Sequence, residues 1–512
     1  MSSPAAPDPT TASDGWQWWT LVAVCIATLM LLLDVTIVNV ALPDISRDLG
    51  SSFSDLQWVI DAYALGLAAL LLTWGGIADQ IGRKRVFLIG LAGFTFASLL
   101  CALATTPLWL NLARGLQGMG GAAMFATALA LLASAYSGKD RGTAIGLWGA
   151  TIGAGVAVGP LLGGLLIEAA SWHWIFLVNL PIGAIAFALS ARFVPESRNP
   201  AGRGIDVPGA VAFSLALFLL IFAIVRGNAE GWGSGLIVAC FVGAGALLGL
   251  FLVVQLRSPK AMFDLALFRN RSFLGVSIAA FTLSASMFAL FLYITLWIQN
   301  GLRYSPLEAG LRFLPSTLVS FVTAPLAGRL STKVAPGAML GTGLGLVGVG
   351  LLLMRGVDAE SDWTYLLPGL VVASVGIGVT NPALASTAVG VVDVRRSGMA
   401  AGINNTFRQV GIAVGTAAWG AWMAHLVSSD VTDSVTARAG AAVAAKLPDG
   451  DTLTQAPPAL IDRLPGGEHT FLAAYTGGLD TIFLTAGAFA LAMAVLMPLL
   501  VKRRDFVPQP GA

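Results

Sequence analysis

Apolar residues along this chain of 512 residues gather in long unbroken runs, not in the alternation of a half-buried strand or the single stripe of a soluble helix. A helix crossing a hydrocarbon core of about 30 Å needs roughly 20 such residues. Fourteen runs meet that length: 20–42, 57–76, 86–105, 108–135, 143–167, 172–194, 207–226, 234–256, 273–299, 308–330, 337–356, 363–389, 399–425 and 474–501. The pattern predicts an all-α polytopic membrane protein with 14 transmembrane helices. One connection is long: residues 426–473 are polar, Ala-rich and acidic in balance, and read as a mobile or partly helical outer loop.

Composition turns this reading into an exclusion. Hydrophobic residues make up 56% of the chain and charged ones 11%, against about 25% charge in a soluble domain. A soluble multidomain protein is therefore ruled out, and lipid is the expected surroundings. A net charge of +2 without a basic block gives no footprint for nucleic acid. Cys25, Cys101 and Cys240 sit inside apolar runs, and His173, His425 and His469 are scattered, so no disulfide framework or metal site is expected. No catalytic cluster or soluble signalling domain suggests an enzyme or a receptor. The glycine pattern from Gly343 to Gly348 imitates a dinucleotide fingerprint but lies inside an apolar run, where helix packing explains it. No Gly-Lys-Ser/Thr loop offers direct ATP drive, and no cofactor is expected.

Loop charges set an orientation. With the N-terminus inside, the inner loops and tail hold nineteen Lys and Arg and the outer segments eight, which places both termini in the cytoplasm. No cleavable signal peptide is expected, because the first nineteen residues carry no Lys or Arg and the first apolar run contains Asp34. Trp16, Trp18, Trp19, Trp172 and Trp174 lie at run ends as expected interface anchors.

An internal repeat organises the runs. The stretch Arg141–Pro160 aligns with Ser397–Thr416, matching Gly146 with Gly402, Gly155 with Gly411 and Gly159 with Gly415. The fifth run then equates with the thirteenth, so runs 1–6 recur as 9–14. This gives a 6+2+6 plan: residues 1–195 and 261–512 form six-helix bundles, and 196–260 carry two inserted helices. Parallel halves with a substrate site between them are a transporter plan.

Four charges lie deep in the runs: Asp34, Asp61, Arg114 and Arg408. An intramembrane acid is costly and is a functional candidate by default. At 1.5 Å per residue, Asp34, Asp61 and Arg114 fall roughly 12, 6 and 9 Å below the outer boundary, so they are expected to share one cavity. Burial raises a carboxyl pKa and a nearby Arg lowers it, so a changing Asp–Arg distance would load or release a proton.

The motifs together resemble the major facilitator superfamily, in particular the fourteen-helix drug:proton antiporters of the EmrB/QacA type. The resemblance spans nearly the whole chain. It rests on Leu33–Pro43 in run 1, on Gly75–Arg85 between runs 2 and 3, and on Leu110–Ala122 with Arg114, Gln117, Gly118 and Gly120 in run 4. Gly155, Gly159, Pro160, Gly163 and Gly164 match an antiporter motif in run 5, and Trp172–Phe176 with Asn179 and Pro181 also fits. Gln80 and His173 stand where basic residues are usual.

The resemblance implies a proton-coupled exporter of drugs, antibiotics or other small hydrophobic or cationic compounds, working as a monomer in a bacterial inner membrane. A proton-coupled uptake symporter is the alternative. Asp34 and Arg114 become the proton-coupling pair, with Asp61 serving either protons or substrate charge. Gly75, Asp79, Gly82, Arg83, Lys84 and Arg85 would form a cytoplasmic latch, for which the counterpart loop Gly328–Lys333 lacks an acid. The run-5 glycines permit either ordinary close packing or a tight contact between the halves that suppresses leak. Asp61, Phe288, Trp297, Asn404 and Arg408 are candidate cavity residues, Arg408 by contact with an anionic part of a substrate. The lack of an acid between Arg312 and Arg329 favours neutral, zwitterionic or monovalent compounds.

Overall fold

A computed structural model describes residues 14–50, 53–136, 138–198, 206–258, 265–331, 333–393, 397–448, 450–454, 456 and 458–507. The apolar runs are helices. The N-terminal six are α1 (Asp14–Leu49), α2 (Phe53–Ile81), α3 (Arg83–Ala102), α4 (Pro107–Ala135), α5 (Gly138–Ala169) and α6 (Trp174–Phe193). The inserted pair is α7 (Val207–Glu230) and α8 (Gly235–Arg257). The last six are α9 (Arg271–Gly301), α10 (Pro306–Leu330), α11 (Pro336–Leu353), α12 (Trp363–Gly390), α13 (Ser397–Ala439) and α14 (Gly467–Leu500). Twelve of these are long and apolar enough to cross a bilayer among the described residues, and α2, bent by 49°, makes a thirteenth. With α5, a helix of 32 residues, they accommodate the fourteen expected spans.

Helix starts follow local chemistry. Thr106 caps α4 by accepting from Trp109 N, with Pro107 in the first turn. Ser305 and Glu308 form a reciprocal capping box on α10. Asp206 caps α7 through Gly209 N and also accepts from Gln255 Nε2 at 2.6 Å, which ties the two inserted helices at one end.

The internal repeat is visible in the packing. Within the first half α1 packs on α5 and α6, α4 on α2 and α3; within the second, α9 packs on α13 and α14, α12 on α10 and α11. The halves meet through two equivalent pairs, α5 with α10 and α2 with α13. At the end bearing Asp79 they are closed. A side chain on Gly142 would strike the Gly328 carbonyl, and one on Gly146 would come 2.8 Å from that of Ala324. The inserted α7 lies across this seam, touching α2 of one half and α13 of the other. The glycines at 343 and 348 seat α11 on α12 and α14, as packing required.

Two expectations change. The long outer loop is shorter than expected, because α13 continues as helix to Ala439. Val427, Val431 and Val435 are fully buried at a spacing of four. Past residue 425 the helix thus keeps one apolar stripe and turns its other faces polar, which an apolar-run criterion discards. Short helices at Ala441–Ala444 and Gly450–Thr454 pack on it and one at Pro458–Ile461 packs on α14, forming a cap on the second half in which Leu453 and Ile461 are buried. Trp18, Trp19 and Trp174 are exposed as interface anchors should be, but Trp172 is buried and donates to Asp48 at 2.9 Å.

Candidate functional site: a buried ion pair and the helices that hold it

Asp34 of α1 and Arg114 of α4 are each 1% exposed and form an ion pair at 2.5 Å. Charges out of water persist only when their remaining hydrogen-bond capacity is met, and here it is. Asp34 Oδ1 accepts from Gln117 Nε2 at 2.7 Å and from Asn179 Nδ2 at 2.9 Å. Arg114 donates Nε to the Val59 carbonyl at 3.0 Å and Nη1 to Gln117 Oε1 at 2.6 Å, and lies 4.3 Å over the Tyr63 ring. Ser98 of α3 accepts from both Gln117 and Asn179. Five helices of the first half thus converge on one carboxylate. Gln117 and Asn179 were legible as motif positions, whereas Ser98 gave no sequence signal.

Asp61 does not join this centre. Its backbone neighbours Val59 and Tyr63 face Arg114, while Asp61 lies on the other side of α2, where its electrostatic partner is Arg226 of the inserted α7. Asp61 is 8% exposed and its Oδ2 makes no hydrogen bond among the described residues. Arg226 pairs with Glu230 at 2.9 Å and lies 5.6 Å from the Trp58 ring. The expectation of one shared cavity is corrected: similar depth placed the three residues in one layer but said nothing of which helix face each occupies.

The loop motif places Asp79 between the two halves. Arg83 grips Asp79 Oδ1 with Nε and Nη2 at 2.9 and 2.8 Å. The other oxygen, Oδ2, accepts from Met399 N at 3.0 Å, in the first turn of α13 across the seam. A carboxylate at a helix N-terminus meets unpaired amides and the positive end of the helix dipole. Lys84 and Arg85 instead serve their own half: their backbone amides donate to Glu196, and Lys84 Nζ reaches the Ala191 carbonyl at 2.7 Å. Gly82, at φ 120°, fits a turn that would drive any side chain into Glu196, and Gly75 is buried in α2.

The run-5 glycines do not touch the other half. Gly155 faces Leu32, Gly159 faces Thr36 and Gly163 faces Ile37, all on α1. The reading of a tight contact between halves is corrected, since that contact belongs to Gly142 and Gly146 nearer the start of α5. Gly164 is half-buried, and the side chain of Pro160 lies outside the described residues.

In the second half Arg408 is 8% exposed and donates to Asn381 of α12 at 3.1 Å, with the Phe288 ring 5.6 Å away. Asn404 donates to the Val276 carbonyl. Trp297 is fully buried in the core of this half, which leaves Phe288 as the half-buried aromatic beside Arg408. No group of three His, Cys, Asp or Glu is placed to hold a metal among the described residues.

Two matched six-helix bundles, closed on each other at one end around buried charge, define a helical membrane protein of transporter architecture. The profile of the Major Facilitator Superfamily matches residues 24–416, and the chain belongs to that family. It is 35% identical over 414 residues to the multidrug resistance protein Stp of Mycobacterium tuberculosis, covering 81% of this chain and 77% of that one. It is 31% identical over 510 residues to the tetracenomycin C resistance and export protein of Streptomyces glaucescens, covering 96% and 93%. The solved structure of the proton:xylose symporter XylE superposes with a TM-score of 0.64 over 96% of each chain at 11% identity, a likeness of fold.

Proposed function

We propose that the protein is a proton-driven exporter of drugs or antibiotics in a bacterial inner membrane, with both termini in the cytoplasm. It needs no cofactor beyond the proton gradient and acts as a monomer on small molecules. Kinship with resistance and export proteins supports the direction and the cargo. The observation that carries the proton step is the sealed Asp34–Arg114 pair.

The geometry supports a route from charge to motion. The helix α1 is held on one side by Asp34–Arg114 and on the other by the glycine face of α5. The same α5 packs across the seam on α10. Protonating Asp34 removes the charge that Arg114, Gln117 and Asn179 are arranged around, which loosens α1 from α4. The shift passes through α5 to the contact between halves, where Asp79 and Met399 hold the inner end closed. Proton and cargo then exchange without a separate gate.

Inverted membrane vesicles provide the test. They should accumulate ethidium when a proton gradient, acid inside, is imposed, and lose it when a protonophore is added. Gradient-independent accumulation, or none from a pump-deficient host that the protein nevertheless fails to protect from any compound, would reject the reading.

A further inference from the structure

Arg408 is a charge placed where packing asks for a hydrocarbon. In the internal repeat Gly155 aligns with Gly411, so Arg408 aligns with Ile152 of α5, which is 2% exposed in an apolar cluster. A buried guanidinium is ordinarily retained only with a carboxylate. Here no acidic side chain pairs with it among the described residues, and its one hydrogen bond goes to the neutral amide of Asn381. Its environment is nevertheless polar in an organised way. One turn along α13, Gly411 lies against Ser284 of α9. There the helix opens into a π-helical turn, Ser284–Phe288, whose last ring flanks Arg408. Ser284 Oγ and Thr282 Oγ1 are buried without hydrogen-bond partners among the described residues. π-turns inside helices gather at functional sites. The cluster also abuts the first half, because Gly149 of α5 faces Asn381. It therefore sits at the seam, where transporters of this plan take up their cargo.

We propose that Arg408 binds an anionic oxygen group on the transported compound, a carboxylate, phenolate or enolate on an apolar frame. The anion supplies the missing counter-charge, the guanidinium fork fits its two oxygens, Asn381 orients the fork, and Phe288 covers the adjoining apolar ring. The inference rests on the export reading and names its cargo class.

The test uses the full-length protein in lipid nanodiscs and two probes, anthracene-9-carboxylate and its methyl ester. The wild type should bind the acid at least about tenfold more tightly than the ester. Arg408→Gln should bring the ratio to about one, and Arg408→Lys should keep part of the preference because it retains the charge without the fork. Equal affinities in the wild type, an unchanged ratio in Arg408→Gln, or loss of both probes in both variants would overturn the proposal. Ethidium accumulation by wild-type vesicles is a separate readout. If it fails and the protein also protects a pump-deficient host from no compound, the export reading falls; if export is seen by either readout while the acid shows no preference, this inference alone falls.

Discussion

In the first half, Gly155 of α5 lies on Leu32 of α1, and Gly159 lies on the Leu33 carbonyl and the Thr36 side chain. In the second, Gly411 and Gly415 of α13 lie on Ser284 and Ala285 of α9. The same small-residue face seats the same pair of helices twice. Yet superposing these contacts sets Asp34 opposite Ser286, whose hydroxyl merely donates back to the Thr282 carbonyl. One half holds a sealed carboxylate ringed by donors, and the other holds π-helical turns and a guanidinium without an acid. A repeated skeleton thus fixes how helices approach, while single side chains differ between the halves; under the proposals above they divide the labour, with proton chemistry in the first half and cargo in the second.

The strongest way to break this comparison is to neutralise each position in turn. Asp34→Asn leaves Arg114 buried without its counter-ion. Breaking a buried pair on one side costs about 3–5 kcal/mol, so gradient-driven ethidium uptake should fall by at least about a hundredfold. Ser286→Ala loses only a local back-bond worth about 1 kcal/mol or less and should leave uptake within about twofold to fivefold of wild type. Comparable losses in the two variants would show that charge is not divided between the halves.

The end that bears Asp79 offers a second asymmetry. Asp79 joins α2 to the start of α13, while the equivalent loop, Gly328–Lys333, has no acid to join α10 to α5. A hydrogen bond to a charged group contributes about 1.5–3 kcal/mol. Asp79→Asn should therefore raise the inner-open population about tenfold to a hundredfold. The readout is labelling of Ala401→Cys by a membrane-impermeant thiol reagent applied from the cytoplasmic side, with the three natural cysteines replaced. Ala401 is fully buried at the seam in the closed state. Unchanged labelling would remove Asp79 from the latch.

Much of this architecture is legible in one dimension because lipid demands it. A span must be apolar for its whole length, so helix number, repeat and loop charge are written plainly. The depth of Asp34, Asp61 and Arg114 is written too. What the chain does not write is azimuth. A helix buried on most faces shows no stripe to tell the α4-facing side of α2 from its α7-facing side, so Asp61 was assigned to the wrong neighbours. The glycine face of α5 was found but not its partner, since close packing alone does not say which helix approaches. The cap was missed for the opposite reason: Val427, Val431 and Val435 form a soluble-type stripe inside a segment read by membrane rules.

The shared glycine face itself differs in tolerance. A methyl group on Gly159 meets the Thr36 hydroxyl and, at 2.8 Å, its Cβ, which no rotamer change moves away, while the nearest backbone atom, the Leu33 carbonyl oxygen, stays 3.3 Å off. One on Gly415 comes 2.6 Å from the Ala285 carbonyl oxygen and 2.7 Å from its Cα, so backbone must move. Overpacking of that kind costs about 1–3 kcal/mol. Gly415→Ala should therefore lower the apparent melting temperature in fluorescence-detected size exclusion more than Gly159→Ala does. The reverse order would mean that α1, not α9, is the more rigid seat.

The smallest effect concerns the cap, which only the second half carries. Arg303 ties it down, pairing with Asp462 and, at 3.1 Å, with Glu468. Hydrogen bonding to Asp462, followed by the two carboxylate charges, holds the Arg303 guanidinium above its ordinary pKa. Any stability from that shift is present below the unfolded pKa and is lost only as pH rises through the higher folded one. Cap stability should therefore be flat from pH 6 to 9 as far as Arg303 is concerned. The pairs are solvent-screened, so Arg303→Ala should cost at most about 1 kcal/mol and nothing measurable in about 1 M salt. Arg303 also stands at φ 60°, a left-handed conformation that costs a side-chain-bearing residue about 1–2 kcal/mol relative to glycine. Arg303→Gly loses the same ion pairs but relieves that strain, so it should retain the cap better than Arg303→Ala. Hydrogen exchange of residues 427–464 measures the difference, and exchange in Arg303→Gly as fast as or faster than in Arg303→Ala would show that the left-handed backbone at 303 does not limit the cap's stability.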